Sequence, residues 1–282
     1  MEKQYSIPVI TTSPDSSVFE ALQKMQSKFV KRLVIADGPK PLGIITERDI
    51  NKFLEEDKTA RAVNEIPIKH LMEKNIVLIT EGLEDDFYQC ASKMDNLNIG
   101  SIILVDKNGD LSGIVSRTDL VKTYANVFGE KYLVKDFMST KIVTCRKSDF
   151  LKFALNLMTQ NKVSRLVVTD ENGIAIGLIT TNTLLSHSDY FTKGNTRSRD
   201  YLLPLNNKVV VGDLLEENLV TIRENEDLAK AASLMIKYKI SGIPVLDTKE
   251  NLIGLVSKTD VVKAFSDVVP HENLKLRYSE MY

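Results

Sequence analysis

Residues 113–120 read GIVSRTDL, and the chain contains three siblings: GIITERDI at 43–50, GLITTNTL at 177–184 and GLVSKTDV at 254–261. Each has a Gly, two branched aliphatic residues and then Ser or Thr. Three copies place an Asp three residues after that hydroxyl, at Asp49, Asp119 and Asp260; the copy at 177–184 has Thr183 instead. Self-similarity at this spacing outranks every other signal, because it fixes the structural unit before any single element is assigned.

Working outward, a Met stands 18 or 19 residues before each Gly, at Met25, Met94, Met158 and Met235. Apolar residues precede it at helical spacing, such as Val18, Ala21 and Leu22, or Leu228, Ala231 and Ala232, which marks one buried face. Fourteen residues before each Met is a Thr (Thr11, Thr80, Thr144, Thr221) that ends a short β-type run. A second strand follows the helix (RLVIAD, SIILVD, RLVVTD, GIPVLD). Turns such as DKNGD at 106–110 and DENGI at 170–174 lead into the Gly-containing strand, since Asn-Gly supplies the positive φ of a tight hairpin. A second helix then starts near the Asp. Each unit reads strand–helix–strand–strand–helix.

The chain has 282 residues, 43% of them hydrophobic, which suffices for a sizeable core. A net charge of −1 with interleaved signs leaves no field for nucleic acid or an anionic membrane. No apolar run is long enough to span a bilayer, and a cytoplasmic location is expected. The two Cys, Cys90 and Cys145, lack any CxxC partner, and the three His are far apart, so no metal site is expected. Units of this size are marginal alone. They are expected to pair as 1–128 and 129–282, with a longer polar stretch at 191–208 between copies three and four.

The strand-Thr, the helix with Met, the IPVLD strand at 243–247 and the G-h-h-(S/T)-x-x-D run (h, apolar) together resemble the cystathionine-beta-synthase (CBS) domain. The segments IKHLM (68–72), VKDFM (134–138) and VGDLL (211–215) resemble the short helix that leads into such domains; the first copy shows no counterpart. The resemblance implies an α/β (α+β) protein of four βαββα CBS repeats forming two tandem pairs, in the family often assembled as a flat disc. Boundaries are expected at 1–60, 66–128, 133–191 and 209–270, with a C-terminal tail at 271–282. Four such repeats without a catalytic domain resemble the gamma subunit of AMP-activated protein kinase and stand-alone archaeal and bacterial relatives. Their clefts between paired domains take AMP, ADP, ATP, S-adenosylmethionine or other adenosyl ligands.

The residues themselves suit that chemistry. The carboxylates of Asp49, Asp119 and Asp260 offer two acceptor oxygens each, which match the vicinal hydroxyls of ribose. Thr46, Ser116, Thr118, Ser257 and Thr259 lie near a helix N-terminus, where free N–H groups favour phosphate. Arg48 replaces the second hydroxyl in copy one. Arg32 and Arg165 share one position of the second strand and are candidate phosphate ligands; Ser101 and Gly242 replace them in copies two and four. In the family the position of Thr11, Thr80 and Thr221 often meets the base. Thr180 and Thr183 mark a degenerate third site, because Thr183 has one oxygen and no charge. The competing reading is that Ser/Thr-x-x-Asp merely caps the second helix, and both roles can coexist. Arg117 and Lys258 are expected either to add charge or to point into solvent.

No GxxxxGK[ST], GxGxxG after a strand, GxSxG or HExxH motif is present, so catalysis is not expected and no cofactor is obligatory. The expected function is a non-catalytic regulatory protein sensing adenine nucleotides, read out by a protein partner or by self-association. The alternatives are a nucleic-acid-binding regulator, with Arg197 and Arg199 as the only local hint, and a structural module whose clefts bind nothing.

Overall fold

The computed structural model describes residues 5–57, 61–81, 86–181, 209–215 and 219–279. Repeat one runs β1 (Thr11–Thr12), α1 (Val18–Ser27), β2 (Arg32–Asp37), β3 (Lys40–Thr46) and α2 (Glu47–Glu56). Repeat two runs β4 (Leu78–Thr80), α3 (Asp86–Asn96), β5 (Ser101–Val105), β6 (Leu111–Ser116) and α4 (Arg117–Val127). Repeat three runs β7 (Thr144–Arg146), α5 (Leu151–Gln160), β8 (Arg165–Thr169) and β9 (Ala175–Thr180), after which Thr181 is the last described residue of the copy. Repeat four runs β10 (Ile222–Arg223), α6 (Leu228–Lys237), β11 (Gly242–Leu246), β12 (Leu252–Ser257) and α7 (Lys258–Ser279). The tail expected from residue 271 is therefore the continuation of α7.

Each repeat builds its own three-stranded sheet, in which the first strand is parallel to the second and the second antiparallel to the third. A parallel pair needs a crossover, and the first helix supplies it. Alternation then sorts the strands into two faces. In repeat one Leu33, Ile35 and Ile45 pack under the helices, while Val34 and Ile44 point to the other face. The landmark Met residues are all buried against the sheet, none more than 3% exposed.

The described residues form two compact units, and the chain passes from one to the other after Pro8, Ile76, Ile142 and Leu219. One unit holds repeats two and four; the other holds repeats one and three. Within the first, one hydrophobic core runs through both repeats. At its centre Phe265 stands 5.1 Å from Phe128, 5.5 Å from Tyr88 and 6.2 Å from Tyr124, measured between ring centroids. In the second unit repeats one and three have separate cores among the described residues. This grouping of repeats two with four and one with three is not the along-chain grouping of 1–128 and 129–282.

The segments read as lead-ins explain the conserved-looking Gly of the repeat motif. Residues 63–72 close repeat one, not repeat two: Val63, Ile66 and Ile68 are fully buried in its core, and Ile44 exchanges backbone hydrogen bonds with Glu73 at 2.9 and 3.0 Å. Each such burial is worth about 1.5–3 kcal/mol as an upper bound. Residues 134–138 likewise serve repeat four, with Ser139 and Leu255 exchanging 2.9 Å bonds, and Leu215 covers repeat three. Repeat two is served by the start of the chain, since Ser6 N–H donates to Ile114 and the Tyr5 ring lies on Gly113. The missing lead-in of copy one is thus present in part, as Tyr5 and Ser6.

A Cβ at Gly113 would fall 2.5 Å from the Tyr5 ring, one at Gly177 2.5 Å from Leu215, and one at Gly254 2.6 Å from the Met138 sulfur. At Gly43 it would meet the Glu73 backbone oxygen at 2.9 Å. The ladder also slips at this level in every repeat, beside Ile35, Leu104, Val168 and Val245, each directly opposite its Gly. Bulge and Gly together admit the covering segment.

Candidate functional site

In every repeat the third strand ends at the hydroxyl residue, and in repeats one, two and four the second helix begins at the next position. In repeat one Asp49 Oδ2 accepts from Thr46 N–H at 2.9 Å and from Thr46 Oγ1 at 2.7 Å, and Thr46 Oγ1 accepts from Asp49 N–H at 3.3 Å. Asp119 Oδ2 accepts from Ser116 N–H at 2.7 Å and Ser116 Oγ at 2.6 Å. Asp260 Oδ2 accepts from Ser257 N–H and Oγ, both at 2.7 Å. The capping reading is therefore correct three times over. It is also incomplete, because these bonds engage Oδ2 alone and all three residues are only half-buried. A carboxylate in this pose is held rigidly with its second oxygen outside the capping pattern.

The strand register gathers the other candidates. Arg32 stands directly opposite Thr46, and Arg165 directly opposite Thr180. Ser101 faces Ser116 and Gly242 faces Ser257. One pleat along, Thr11 pairs with Val34, which pairs with Ile44. Paired residues share a face, as do residues two apart. Thr11, Arg32, Thr46, Val34 and Ile44 therefore occupy the sheet face turned away from the helices. Cationic, hydroxyl and apolar groups lie there within one or two pleats, about 7 Å each.

Thr80 shares this face in repeat two but stands one pleat beyond the rung of Thr11. The position of Thr11 is filled by Leu78, which pairs with Ile103 as Thr11 pairs with Val34, while Thr80 pairs with Val105 two residues further on. Counting back from the helix assumed a constant strand-to-helix connection, and repeat two carries two more residues there. Thr144 and Thr11 hold equivalent rungs, and Thr221 immediately precedes β10. Thr183, Arg197 and Arg199 lie outside the described residues. Thr180 is described and ends β9; the next residue, Thr181, directs its hydroxyl to the Ser164 carbonyl at 3.4 Å.

Of the two readings open for Lys258, added charge or a side chain directed only at solvent, the structure favours the first by giving it a partner. From the first position of α7 its Nζ donates to Thr118 Oγ1 in repeat two at 3.0 Å. Arg117, the equivalent residue of α4, donates to Asn98 Oδ1 at 3.4 Å. Within the unit of repeats two and four, a cation from one repeat thus reaches the helix start of the other, a contact across 140 positions that sequence spacing does not encode. Repeat one has Glu47 at the corresponding place. Burial pushes its carboxyl up, opposed by the Lys31 and Arg32 charges beside it. Thr259 adjoins Lys258 at the start of α7.

Among the described residues no group of His, Cys, Asp and Glu is placed to hold a metal ion, and no helix is long and apolar enough to cross a membrane. Cys90 and Cys145 are both buried. Burial, with Asp149 nearby, pushes the Cys145 thiol up to about 12, which disfavours its thiolate.

Four copies of one three-stranded sheet with its crossover helix, three of them followed by a helix whose Asp closes back on the strand-ending hydroxyl residue, define a CBS-type repeat protein. The family model for the CBS domain matches residues 3–56, 68–126, 134–190 and 211–267, and the chain belongs to that family. It is 24% identical over 278 residues to the uncharacterized protein MJ1225 of Methanocaldococcus jannaschii, covering 92% of this chain and 95% of the relative. The crystal structure of MJ1225 superposes with a TM-score of 0.76 at 23% identity, over 93% of this chain and 98% of that one. A conserved protein from Pyrococcus horikoshii gives a TM-score of 0.65 at 17% identity, over 93% and 97%. Both share the fold. A shorter chain, the CBS pair CBSX2 of Arabidopsis thaliana, was solved in complex with AMP; it covers 49% of this chain and 98% of its own length, at 29% identity and a TM-score of 0.40.

Proposed function

We propose that this chain is a non-catalytic regulatory protein that takes adenosine-containing nucleotides, AMP, ADP or ATP, at the strand-to-helix junctions of repeats one, two and four. It acts as an energy or metabolite sensor and hands its state to a protein partner. The observation that carries this reading is the repeated pose of Asp49, Asp119 and Asp260: one carboxylate oxygen is fixed by the cap and the other lies outside it. A group used only for capping needs one acceptor; a diol ligand needs the charge and the second oxygen.

The ligand is divided among three kinds of group. The carboxylate takes the ribose hydroxyls. The Ser or Thr, the helix N–H groups and Arg32, or Lys258 at repeat two, take phosphate. The apolar residues of the outer sheet face hold the base. Ligand that binds two arrangements of the repeats unequally shifts their populations, which is all that a switch requires.

Replacement by Asn separates the two roles of the carboxylate. Asn keeps one carbonyl oxygen for the cap but loses the charge and the second acceptor. Calorimetry with AMP, ADP, ATP and S-adenosylmethionine is expected to show about 10- to 100-fold weaker binding for Asp49→Asn, Asp119→Asn and Asp260→Asn, with melting temperatures of the free proteins nearly unchanged. Binding unaffected by all three would remove the proposal. In repeat three, Thr183→Asp is expected to gain affinity.

A further inference from the structure

Phe29 closes α1 in the left-handed conformation, with φ of +53°, and is 95% exposed. The same position in the other repeats is Asn98 (φ +50°), Lys162 (φ +55°) and Lys239 (φ +55°). The backbone demands this geometry. The turn lets the N–H of Val30 reach the Met25 carbonyl at 2.9 Å, as Ile99 reaches Met94 at 3.1 Å and Val163 reaches Met158 at 2.9 Å. Asn tolerates the left-handed region, and Lys keeps its charge in water there. A bulky aromatic ring gains nothing from the fold at this place and is least suited to the conformation. A single exposed apolar residue is ordinary; an almost fully exposed Phe at a left-handed position held by polar residues in three sister repeats is not.

Its surroundings identify what would meet it. Lys24, Lys28 and Lys31 flank the ring along the chain, and Lys28 and Lys31 are exposed. Of the nearby acids, Glu20 is committed to the capping box of Ser17, accepting from its N–H at 2.7 Å, and Glu47 faces Lys31, which leaves Lys24 and Lys28 as the cations of the frame. A shallow groove along α1, ending at the residue before Phe29, is lined by Glu20, Gln23, Lys24, Gln26, Ser27 and Lys28. The corner is therefore an aromatic anchor in a positively charged, otherwise polar frame. We propose that it docks an acidic amphipathic helical segment of another protein, whose apolar side chains enclose the Phe29 ring while its carboxylates meet Lys24 and Lys28. A membrane surface would want an apolar stripe, and the outward face of α1 offers Gln23, Gln26 and Ser27 instead.

The test uses the full chain with 4-fluorophenylalanine at position 29 and follows its fluorine resonance. The probes are a synthetic Glu/Leu amphipathic helix, the same peptide with Lys for Glu, phosphatidylserine vesicles, and the chain itself at rising concentration. The acidic peptide is expected to shift the resonance, less so at high salt, and Phe29→Asn to weaken that peptide's binding at least tenfold in calorimetry. Because Asn suits the backbone, the variant is expected to melt no earlier than the parent, so loss of binding does not report unfolding. Equal response to both peptides, response only to vesicles, a shift produced only by self-association, no shift with any probe, or full binding by Phe29→Asn would each overturn the proposal.

Discussion

The two compact units are made from the same repeat and spend it differently. Repeats two and four share one core, tied by the Tyr88, Tyr124, Phe128 and Phe265 rings, and Lys258 of one repeat is bonded to Thr118 of the other. Repeats one and three keep separate cores among the described residues, each closed by its own segment, at 63–72 and 209–215. The cations are placed differently too. Repeats one and three carry Arg32 and Arg165 on the second strand; repeats two and four carry Arg117 and Lys258 at the helix start. Repeats one, two and four thus keep the pose of the capping carboxylate while the source of positive charge moves around it.

The sharpest way to break this comparison is Phe265→Ala. Removing the central ring of a shared core is expected to cost about 3–5 kcal/mol. One buried Cys sits in each unit, Cys90 in repeat two and Cys145 in repeat three, so thiol labelling reads their opening separately. Labelling of Cys90 is expected to accelerate strongly and that of Cys145 little; equal acceleration would show that the units do not open independently.

Next come the glycines. Gly43→Ala drives a Cβ against the Glu73 backbone oxygen, whereas Gly177→Ala meets only the end of the Leu215 side chain. The first is expected to destabilise by about 1–3 kcal/mol and the second by less, measured by denaturant unfolding. A larger effect at Gly177 would show that Leu215 has no room to turn.

Asp119→Ala and Asp119→Asn sharpen the comparison between capping and binding. The Ala variant loses the bonds to Ser116, worth about 0.5–1.5 kcal/mol each, and is expected to unfold at lower denaturant; Asn is expected to keep most of that stability. The smallest effect is expected for Lys258→Ala. An exposed charge contributes little, so phosphate-bearing ligands should bind about two- to fivefold more weakly at repeat two, with repeat four less affected. A loss confined to repeat four in calorimetry paired with Asp119→Asn would mean that Lys258 serves its own repeat.

Much of the unit was legible in the sequence because its causes are local. The buried stripe ending at each Met follows from helical periodicity, and the capping carboxylates follow from a three-residue spacing. What was misread depends on distance along the chain. Thr80 was placed by counting back from α3, yet the ladder puts Leu78 opposite Ile103. The Gly of GIVSRTDL gave no hint of its purpose, since the ring that lies on it, Tyr5, is more than a hundred positions away. Nothing in the sequence marks Phe29, because only coordinates reveal its left-handed backbone and exposure.

By itself the sequence determined the repeat, its βαββα order, the carboxylate three residues after the hydroxyl and its loss at Thr183. These rest on hydrogen bonds and periodicities spanning a few residues, which any chain with that pattern must satisfy. Tertiary structure alone decided which segment covers which sheet, which repeats share a core and which cation reaches which helix start. Those are set by packing between surfaces brought together from distant parts of the chain, and such complementarity leaves no period or spacing to read.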